Sequence, residues 1–393
     1  MKVMKHLLGA FAAFAMTLPA AAETLRFASF EPPVAHVTKE ILTPWAKDVS
    51  EASNGELIIQ IFAGGSLGRN PAQQLQMVED GVADIAWVIP GYSPGRFQES
   101  TVAELPFLVP SSTVGSPAMW KMYELGHFKG DFNKLKMLGI FVSYPNSVAS
   151  TKPVVKPEDM KGMNFRAPGP TMLSAIEALG AVPVGGITGP TVAESISRGL
   201  IDGTITQWGA IETFRMGDVI SDFNTAPLGA TPMLVVMNKA KYDSLSDASR
   251  AAIDKFSGAA FSERFGKSFD ANIEEAREKI LSKGKITVVE PDEASTEEWR
   301  KAVAIATEQW IAGNENGQAV YDAFVKAIEE QAAVGMAAFG RREPWHLLRS
   351  AISASVPRGR MTGRPSRPTC SGCSRSTPAA RFAHSAWTTA SSG

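Results

Sequence analysis

The chain has 393 residues, with 39 basic residues (Lys and Arg), 40 acidic residues (Asp and Glu) and a formal net charge of −1 at pH 7. Both ends of the chain carry a net positive charge, so the middle is more acidic than the total charge indicates. Residues 1–22 hold two lysines and residues 341–393 hold nine arginines and one glutamate, so residues 23–340 hold 28 basic and 39 acidic residues, a net charge of about −11. That charge argues against nucleic acid or an anionic lipid surface as a partner.

The first 22 residues have the pattern of a secretory signal. Lys2 and Lys5 give a positive start, Leu7 to Leu18 form an apolar stretch too short to span a bilayer, and Ala20-Ala21-Ala22 form a small-residue cleavage site. No later stretch reaches 18 apolar residues without a charge. We therefore expect cleavage before Glu23 and a mature chain that lies outside the cytoplasmic membrane without direct insertion into it.

Residues 341–393 are rich in Arg, Ser and Pro and show no sustained helical or strand period. We expect a disordered tail, or the product of translation in a shifted frame. Binding of nucleic acid is the functional alternative, and the secretory signal argues against it. Cys370 and Cys373 form an isolated C-x-x-C in this tail, so we expect neither a zinc nor a redox site.

The body, residues 23–340, contains no cysteine and must rely on a sizeable hydrophobic core. Its 318 residues exceed the size at which a single core stops growing, roughly 250 to 300 residues, so we predict two lobes. The first part alternates strands and helices, with Asn70-Pro71 as a helix start. The predicted order is strand Leu25–Phe30, helix from Val37 to near Gly55, strand Leu57–Phe62, helix from Asn70 to Gly81 and strand Asp84–Ile89. This βαβαβ run implies a parallel sheet with ligand space outside the carboxyl ends of its strands.

A second, weaker copy of the pattern follows. Thr171–Leu179 and Thr191–Arg198 are predicted helices, with the short strand Val182–Val184 between them. Gly81-Val-Ala-Asp-Ile85 and Gly199-Leu-Ile-Asp-Gly203 occupy equivalent places, since each is a helix stop followed by an aspartate that enters a strand. Two similar lobes are the simplest account, and chance similarity over five residues is the alternative.

The stretch between Pro232 and Pro291 contains no proline and is predicted to be largely helical after a cap at Ser246. Its apolar stripe is more typical of a core face than of a ligand site, and it predicts a long helix that spans both lobes, with bends at Gly258 and Gly266. The stripe consists of Ile253, Phe256, Ala260, Phe261, Phe265, Phe269, Ile273 and Ile280. A strand at Lys285–Glu290 and a Ser295/Glu298 capping box then precede the closing helices, which run through Ala333.

Arg166 ends a predicted strand in Asp159-Met-Lys-Gly-Met-Asn-Phe-Arg-Ala-Pro168. A guanidinium keeps its charge in proteins and offers paired donors that match the two oxygens of a carboxylate, which makes it a natural anchor for an organic acid. On the segment alone, an ordinary surface ion pair is the favoured alternative, because most arginines are surface residues.

Several motifs in a fixed order resemble the substrate-binding proteins of TRAP transporters, the DctP-like family. They are Leu25-Arg-Phe-Ala-Ser-Phe30, Gly81-Val-Ala-Asp-Ile85, Glu104-Leu-Pro-Phe107, Asp159 to Arg166, Gly199-Leu-Ile-Asp-Gly203 and the long helix. The resemblance covers roughly Glu23 to Ala333. It implies an α/β, two-lobed periplasmic-binding-protein-like fold, with lobe I from residues 23–146 plus roughly 232–265 and lobe II from residues 147–231 plus roughly 266–340.

The resemblance implies that Arg166, followed by Pro168, pairs with the ligand carboxylate, since an arginine of the second lobe does so in that family. Thr206, Gln207 and Trp208 match a further contact region by order, although the family's common Gln-Glu-Asn pattern is absent. A place in the core is the alternative for Trp208. Asn146 falls where some relatives carry a second arginine, which makes a dicarboxylate such as succinate less suitable.

Four residues of the first lobe are further candidates for ligand contact. Phe30 and His36 follow the first strand, and Trp87 and Tyr92 belong to or follow the third. His36 could equally be a solvated or capping group, and Trp87 could be buried in the sheet. Tyr92 lies on a Gly/Pro loop beyond the strand, where α/β sheets present ligand contacts. With Phe30, Tyr92 and Trp208 pointing inward, the pocket would suit a hydrophobic or aromatic monocarboxylate.

The resemblance implies closure on a ligand rather than catalysis. The expected function is a periplasmic receptor that delivers its ligand to a sodium-coupled membrane permease, with hinges near Asn146–Thr151 and Thr225–Thr231. An extracellular sensor module and a secreted hydrolase are the alternatives. No nucleophile elbow, zinc signature or phosphate loop occurs, since Gly64-Gly65-Ser66-Leu67-Gly68 lacks the spacing of a dinucleotide fingerprint, so we expect no cofactor and no metal.

Overall fold

The computed structural model describes residues 22–339, with side chains through residue 334. The expectations for residues 1–21 and for the tail at 341–393, with Cys370 and Cys373, lie outside the described residues. The strands are β1 (Glu23–Ala28), β2 (Leu57–Phe62), β3 (Ile85–Val88), β4 (Lys136–Val142), β5 (Ser147–Ser150), β6 (Asn164–Arg166), β7 (Val182–Val184), β8 (Gly203–Thr206), β9 (Asp222–Asn224), β10 (Pro232–Met237) and β11 (Thr287–Val289). The α-helices are α1 (Thr43–Ala52), α2 (Gln74–Glu79), α3 (Ser112–Glu124), α4 (Pro170–Ala178), α5 (Val192–Ser197), α6 (Trp208–Thr213), α7 (Lys239–Ser244), α8 (Asp247–Phe256), α9 (Ala259–Leu281), α10 (Glu293–Gly313) and α11 (Gly317–Phe339).

Two mixed sheets, of five and six strands, form the framework. The first sheet has the order β2-β1-β3-β10-β4, and the second has the order β11-β9-β5-β8-β6-β7. In the first sheet β2, β1 and β3 are parallel, and β10 pairs antiparallel with β3 and β4. In the second sheet β7, β6 and β8 are parallel, and β5, the first of its strands in the chain, pairs antiparallel with β8 and β9. The part built on the first sheet is called lobe I below, and the part built on the second is called lobe II. The α/β two-lobed prediction is confirmed. The parallel pairing predicted for the βαβαβ run holds for β2, β1 and β3, whereas each sheet as a whole is mixed.

Two aspartates explain the internal similarity of the lobes. Asp84 Oδ2 accepts the backbone N–H of Arg26 in β1 at 2.7 Å, and Asp202 Oδ2 accepts the backbone N–H of Asn164 in β6 at 2.9 Å. Each aspartate therefore ties the start of one parallel strand, β3 or β8, to the neighbouring parallel strand, β1 or β6. The two Gly-x-x-Asp segments have the same structural role.

The long helix α9 packs against both lobes. It contacts α3 and β4 in lobe I and α6 in lobe II, and its buried face includes Phe261, Phe265 and Phe269. Phe265 stacks on Phe141 of β4 with ring centroids 4.2 Å apart. Close packing of α9 and α3 needs Gly266, because a Cβ there would lie 2.5 Å from the carbonyl oxygen of Ser112. The helix therefore spans the two lobes, as predicted.

Two helix starts differ from the sequence predictions. The helical stretch after Ser246 is interrupted rather than bent at Gly258, which has φ +71° and precedes α9, whereas Gly266 lies inside α9 without a break. The prediction of a capping box at Ser295 is wrong. Asp292 caps α10 instead, because its Oδ1 accepts the backbone N–H of Ser295 at 2.8 Å.

Two connections cross side by side between the sheets, at residues 143–146 and 225–231. The backbone N–H of Asn146 donates to the carbonyl oxygen of Gly229 at 2.7 Å, which holds the two crossings together. Residues 147–150, within the first expected hinge, form strand β5. The predicted lobe boundaries stay a prediction, but α11 packs on α3 in lobe I, whereas those boundaries place it in lobe II.

Within residues 22–339, no helix combines the length and the apolar character needed to cross a bilayer.

Candidate functional site

A cavity lies between the lobes, on the side where β1, β3, β6 and β8 end. It encloses about 680 Å³ of space between atoms, its open mouth included. All the predicted site residues except Trp87 and Trp208 line it. These lining residues are Phe30, His36, Tyr92, Asn146, Arg166, Pro168, Thr206 and Gln207. The structure thus brings together side chains separated by up to 177 positions in the chain, and their roles as ligand contacts stay a prediction.

Arg166 is the last residue of β6 and is only 3% exposed. Its Nε donates to the carbonyl oxygen of Ile187 at 2.8 Å, and one terminal nitrogen, Nη2, donates to the Tyr92 hydroxyl at 3.1 Å. Among the side chains that the structure describes, no carboxylate forms an ion pair with this guanidinium. A buried charge without a counter-charge is costly, so the site is suited to an anion from outside the chain.

Tyr92 connects the two lobes at the cavity. It belongs to lobe I, and its hydroxyl oxygen accepts hydrogen bonds from Arg166 Nη2 and, at 2.9 Å, from the backbone N–H of Gly189, both in lobe II. A phenol oxygen has two lone pairs and one proton. Because both lone pairs are used, the hydroxyl proton is available to an acceptor in the cavity.

Aromatic rings form part of the apolar lining, beside aliphatic side chains. Phe30 and Tyr92 contact each other with ring centroids 6.0 Å apart, and Phe214 and Phe269 line the same cavity. Phe269 was expected to be a core residue, and it is also the cavity end of the stack that contains Phe265, 5.2 Å away. Sequence reasoning missed Phe214, which follows α6 and carries no motif. Flat apolar walls of this kind suit a planar ligand.

Glu31 is the acidic residue that sequence reasoning missed. It follows Phe30, lines the cavity and is 7% exposed. Burial raises the pKa of Glu31 to about 7, an effect that the neighbouring Trp87 indole partly offsets. His36 lines the cavity from the same lobe, where its Nε2 lies 2.9 Å from the Ser268 hydroxyl and burial lowers the pKa of its imidazole. Neutral forms of both groups are therefore favoured by desolvation.

The side chains of Asn146 and Gln207 form hydrogen bonds within the protein. The side-chain nitrogen of Asn146 donates to the Gly229 carbonyl oxygen at 3.2 Å and to the Thr231 hydroxyl at 3.0 Å, which fixes the two lobe crossings. Gln207 caps α6, because its side-chain oxygen accepts the backbone N–H of Ala210 at 3.2 Å. Thr206, at the end of β8, is 3% exposed and lines the cavity.

Trp87 and Trp208 do not line the cavity, which corrects the prediction that they do. Trp87 is fully buried in β3 and stacks on Phe141 and Phe265, at 6.1 and 5.9 Å. Trp208 is 4% exposed, packs on Phe223 with ring centroids 4.0 Å apart and lines a different pocket. Every residue of β3 is buried, so alternation could not reveal which face Trp87 takes.

Pro168 lies at a close contact between the lobes. A Cβ at Gly91 of lobe I would overlap the Pro168 carbonyl oxygen, so only glycine fits this contact. Next to it, the Glu104 carboxyl of lobe I accepts the backbone N–H of Thr171 in α4 at 3.0 Å, and burial raises the pKa of Glu104 to about 8. The chain that follows Arg166 is therefore held by lobe I as well as by lobe II.

In the described part of the chain, no group of three or more His, Cys, Asp or Glu side chains could hold a metal ion. The cavity offers a buried cation, a tyrosine hydroxyl, a buried carboxyl, an imidazole and aromatic walls, and this combination of groups can hold a small organic anion.

Comparisons with known proteins identify relatives over most of the chain. The profile of a family described as bacterial extracellular solute-binding protein, family 7 (DctP), matches residues 27–313. Among protein sequences, one described as outer membrane transporter protein TsaT, from Comamonas testosteroni, is 27% identical over 329 residues, which covers 79% of this chain and 94% of the relative.

Two solved structures with this fold carry aromatic acids. A TRAP solute-binding protein from a marine metagenome, described as specific for aromatic acid ligands and solved with 3-hydroxybenzoate, has a TM-score of 0.76 and 30% identity and covers 79% of this chain and 99% of that one. A TRAP solute-binding protein from Rhodoferax ferrireducens T118, with copurified benzoate, has a TM-score of 0.76 and 26% identity and covers 80% of this chain and 100% of that one.

Proposed function

This chain belongs to the bacterial extracellular solute-binding proteins of family 7, and from that premise we propose that it captures a small aromatic monocarboxylate between its lobes. The family and its fold are those of solute-binding receptors rather than enzymes. The observation that carries the proposal is Arg166, a buried guanidinium without a carboxylate partner among the described side chains, at the wall of an aromatic-lined cavity.

The ligand carboxylate takes the place of the missing counter-charge. Arg166 supplies the terminal nitrogen that Tyr92 does not use, and Tyr92 supplies its hydroxyl proton, so two donors converge on one anion. Hydrogen bonds between charged groups are shorter and stronger than neutral ones. Since the overall field of the body repels anions, affinity has to come from these local donors.

The rest of the cavity selects a planar, singly charged acid. Arg166 is the lone arginine in the described lining and no lysine accompanies it, so a second carboxylate would have no permanent cation to meet it. Phe30, Tyr92, Phe214 and Phe269 provide ring surfaces. The two aromatic-acid complexes among the relatives support the same ligand class.

Binding is coupled to closure of the lobes. Tyr92 of lobe I and Arg166 of lobe II both contact the ligand, and they meet only when the lobes are together. A ligand that bridges them shifts the population toward the closed state, which the permease subunits of a TRAP transporter then recognise. We place the protein in the periplasm, after removal of the segment before Glu23, and the permease coupled to a sodium gradient.

A thermal-shift panel on the purified protein tests this function, with mass spectrometry of any small molecule released on denaturation. Benzoate and hydroxybenzoates are expected to raise the melting temperature, whereas succinate and glucuronate are expected not to. Stabilisation by dicarboxylates or sugar acids alone would refute the ligand class. Conversion of the released ligand during incubation would refute the role as a receptor.

A further inference from the structure

Glu31 is held rigidly at the cavity from the lobe opposite Arg166. Its backbone N–H donates to the Ser29 hydroxyl at 3.2 Å, and its carbonyl oxygen accepts the backbone N–H of Gly64 at 2.7 Å. Both backbone groups are thus fixed by the loops that follow β1 and β2. Glu31 lines the cavity and is only 7% exposed.

The Glu31 carboxyl has no cation to balance it. Within the described residues it forms no ion pair, and the Trp87 indole N–H approaches it without completing a hydrogen bond to any atom. Buried polar groups in native proteins almost always have partners, and a group without one needs an explanation. The carboxyl, which lines the cavity without a counter-charge, indicates a partner that the chain itself does not supply.

The chemistry of Glu31 narrows that partner to a hydroxyl group. A second carboxylate would meet an acid instead of a cation. An ammonium group would need a full negative charge, which desolvation disfavours here, and Glu31 is the sole acidic residue in the described lining. The other titratable lining groups, His36, Tyr92 and Arg166, are donors or neutral rings. A carboxyl can both accept from and donate to a hydroxyl, whichever protonation state it holds.

We propose that Glu31 is the specificity-determining residue of the cavity and hydrogen-bonds a hydroxyl substituent of the aromatic acid while Arg166 holds the carboxylate. This inference rests on the proposed function and narrows the ligand from aromatic acids to hydroxylated ones. A site built to bond a hydroxyl discriminates strongly against the analogue that lacks it, because its own buried polar group is then left unpaired.

Isothermal titration calorimetry with benzoate, 3-hydroxybenzoate and 4-hydroxybenzoate tests this inference on the wild type, Glu31→Gln, Glu31→Met and the exposed control Glu298→Met. The wild type and the control are expected to bind at least one hydroxybenzoate about tenfold or more tighter than benzoate. Glu31→Gln keeps donor, acceptor and length and should keep most of that ratio. Glu31→Met keeps length alone and should reduce the ratio to about one.

The outcomes separate this inference from the proposed function. Benzoate binding by the wild type without preference for a hydroxyl, or a Glu31→Met protein with the wild-type ratio, overturns the role of Glu31 and leaves the aromatic-acid receptor standing. Loss of benzoate binding in both Glu31 variants also overturns it, because that residue would then be structural. Failure of every aromatic acid to bind the wild type overturns the proposed function itself.

Discussion

Replacing Tyr92 with phenylalanine tests how the two lobes share one anion. The change removes a single oxygen and keeps the ring that contacts Phe30. That oxygen accepts from Arg166 and from Gly189 across the cleft, and in the proposed complex its proton also bonds the ligand carboxylate. The variant loses a hydrogen bond to a charged group, worth about 1.5 to 3 kcal/mol. At about 1.4 kcal/mol for each factor of ten, the dissociation constant should rise about 10- to 100-fold.

Calorimetry with the identified ligand measures this change, and Tyr242→Phe is the matched control. The Tyr242 hydroxyl donates to Asp254 at 2.6 Å, and neither residue lines the cavity, so its removal should leave the dissociation constant unchanged. The melting temperature of each ligand-free variant monitors folding. A Tyr92→Phe protein that binds within a factor of two of the wild type would show that this hydroxyl neither contacts the ligand nor supports closure.

Two further changes act where lobe I meets the chain that follows Arg166. Gly91→Ala should block closure, because the added Cβ would overlap the Pro168 carbonyl oxygen. We expect at least a tenfold loss of ligand affinity with little change in the melting temperature of the ligand-free protein. The control Gly313→Ala, where nothing lies within 4 Å of the added Cβ, should leave binding unchanged. Burial raises the pKa of Glu104 to about 8 from 4.5, so its contribution to stability is present below about pH 4.5 and is lost as pH rises to 8. Glu104→Gln should flatten that decline in chemical denaturation curves, by up to about 1.4 kcal/mol per pH unit, and an unchanged pH slope would contradict the assignment.

Local signals in the sequence were enough to predict the first strands, the helices between them and the position of Arg166. Strand β2 and strand β7 have the predicted bounds, because alternation and flanking glycines mark their ends. Asp84 and Asp202 recur at equivalent places in the two lobes because each accepts a hydrogen bond from the backbone of a neighbouring strand in its own lobe. The antiparallel direction of β10 and β5 was not predictable from local signals, since it depends on pairing between distant segments.

The sequence also did not reveal which aromatic side chains reach the cavity. Trp87 occupies a strand that is buried on both faces, and Trp208, the first residue of α6, packs on Phe223 instead. Phe269 has the same helical spacing as the core residue Phe265, and only its place along α9 brings it to the cleft. Glu31 had no motif, and its burial against Trp87 depends on tertiary packing.

Calorimetric titration of the Arg166→Ala protein with the identified acid tests the central claim most directly, beside Arg198→Ala as an exposed control that pairs only with Glu194. Truncation of one partner of a buried charge pair costs about 2 to 5 kcal/mol, so binding should weaken by roughly two orders of magnitude or become undetectable while the melting of the ligand-free protein stays cooperative. Micromolar affinity retained without this guanidinium would contradict the account.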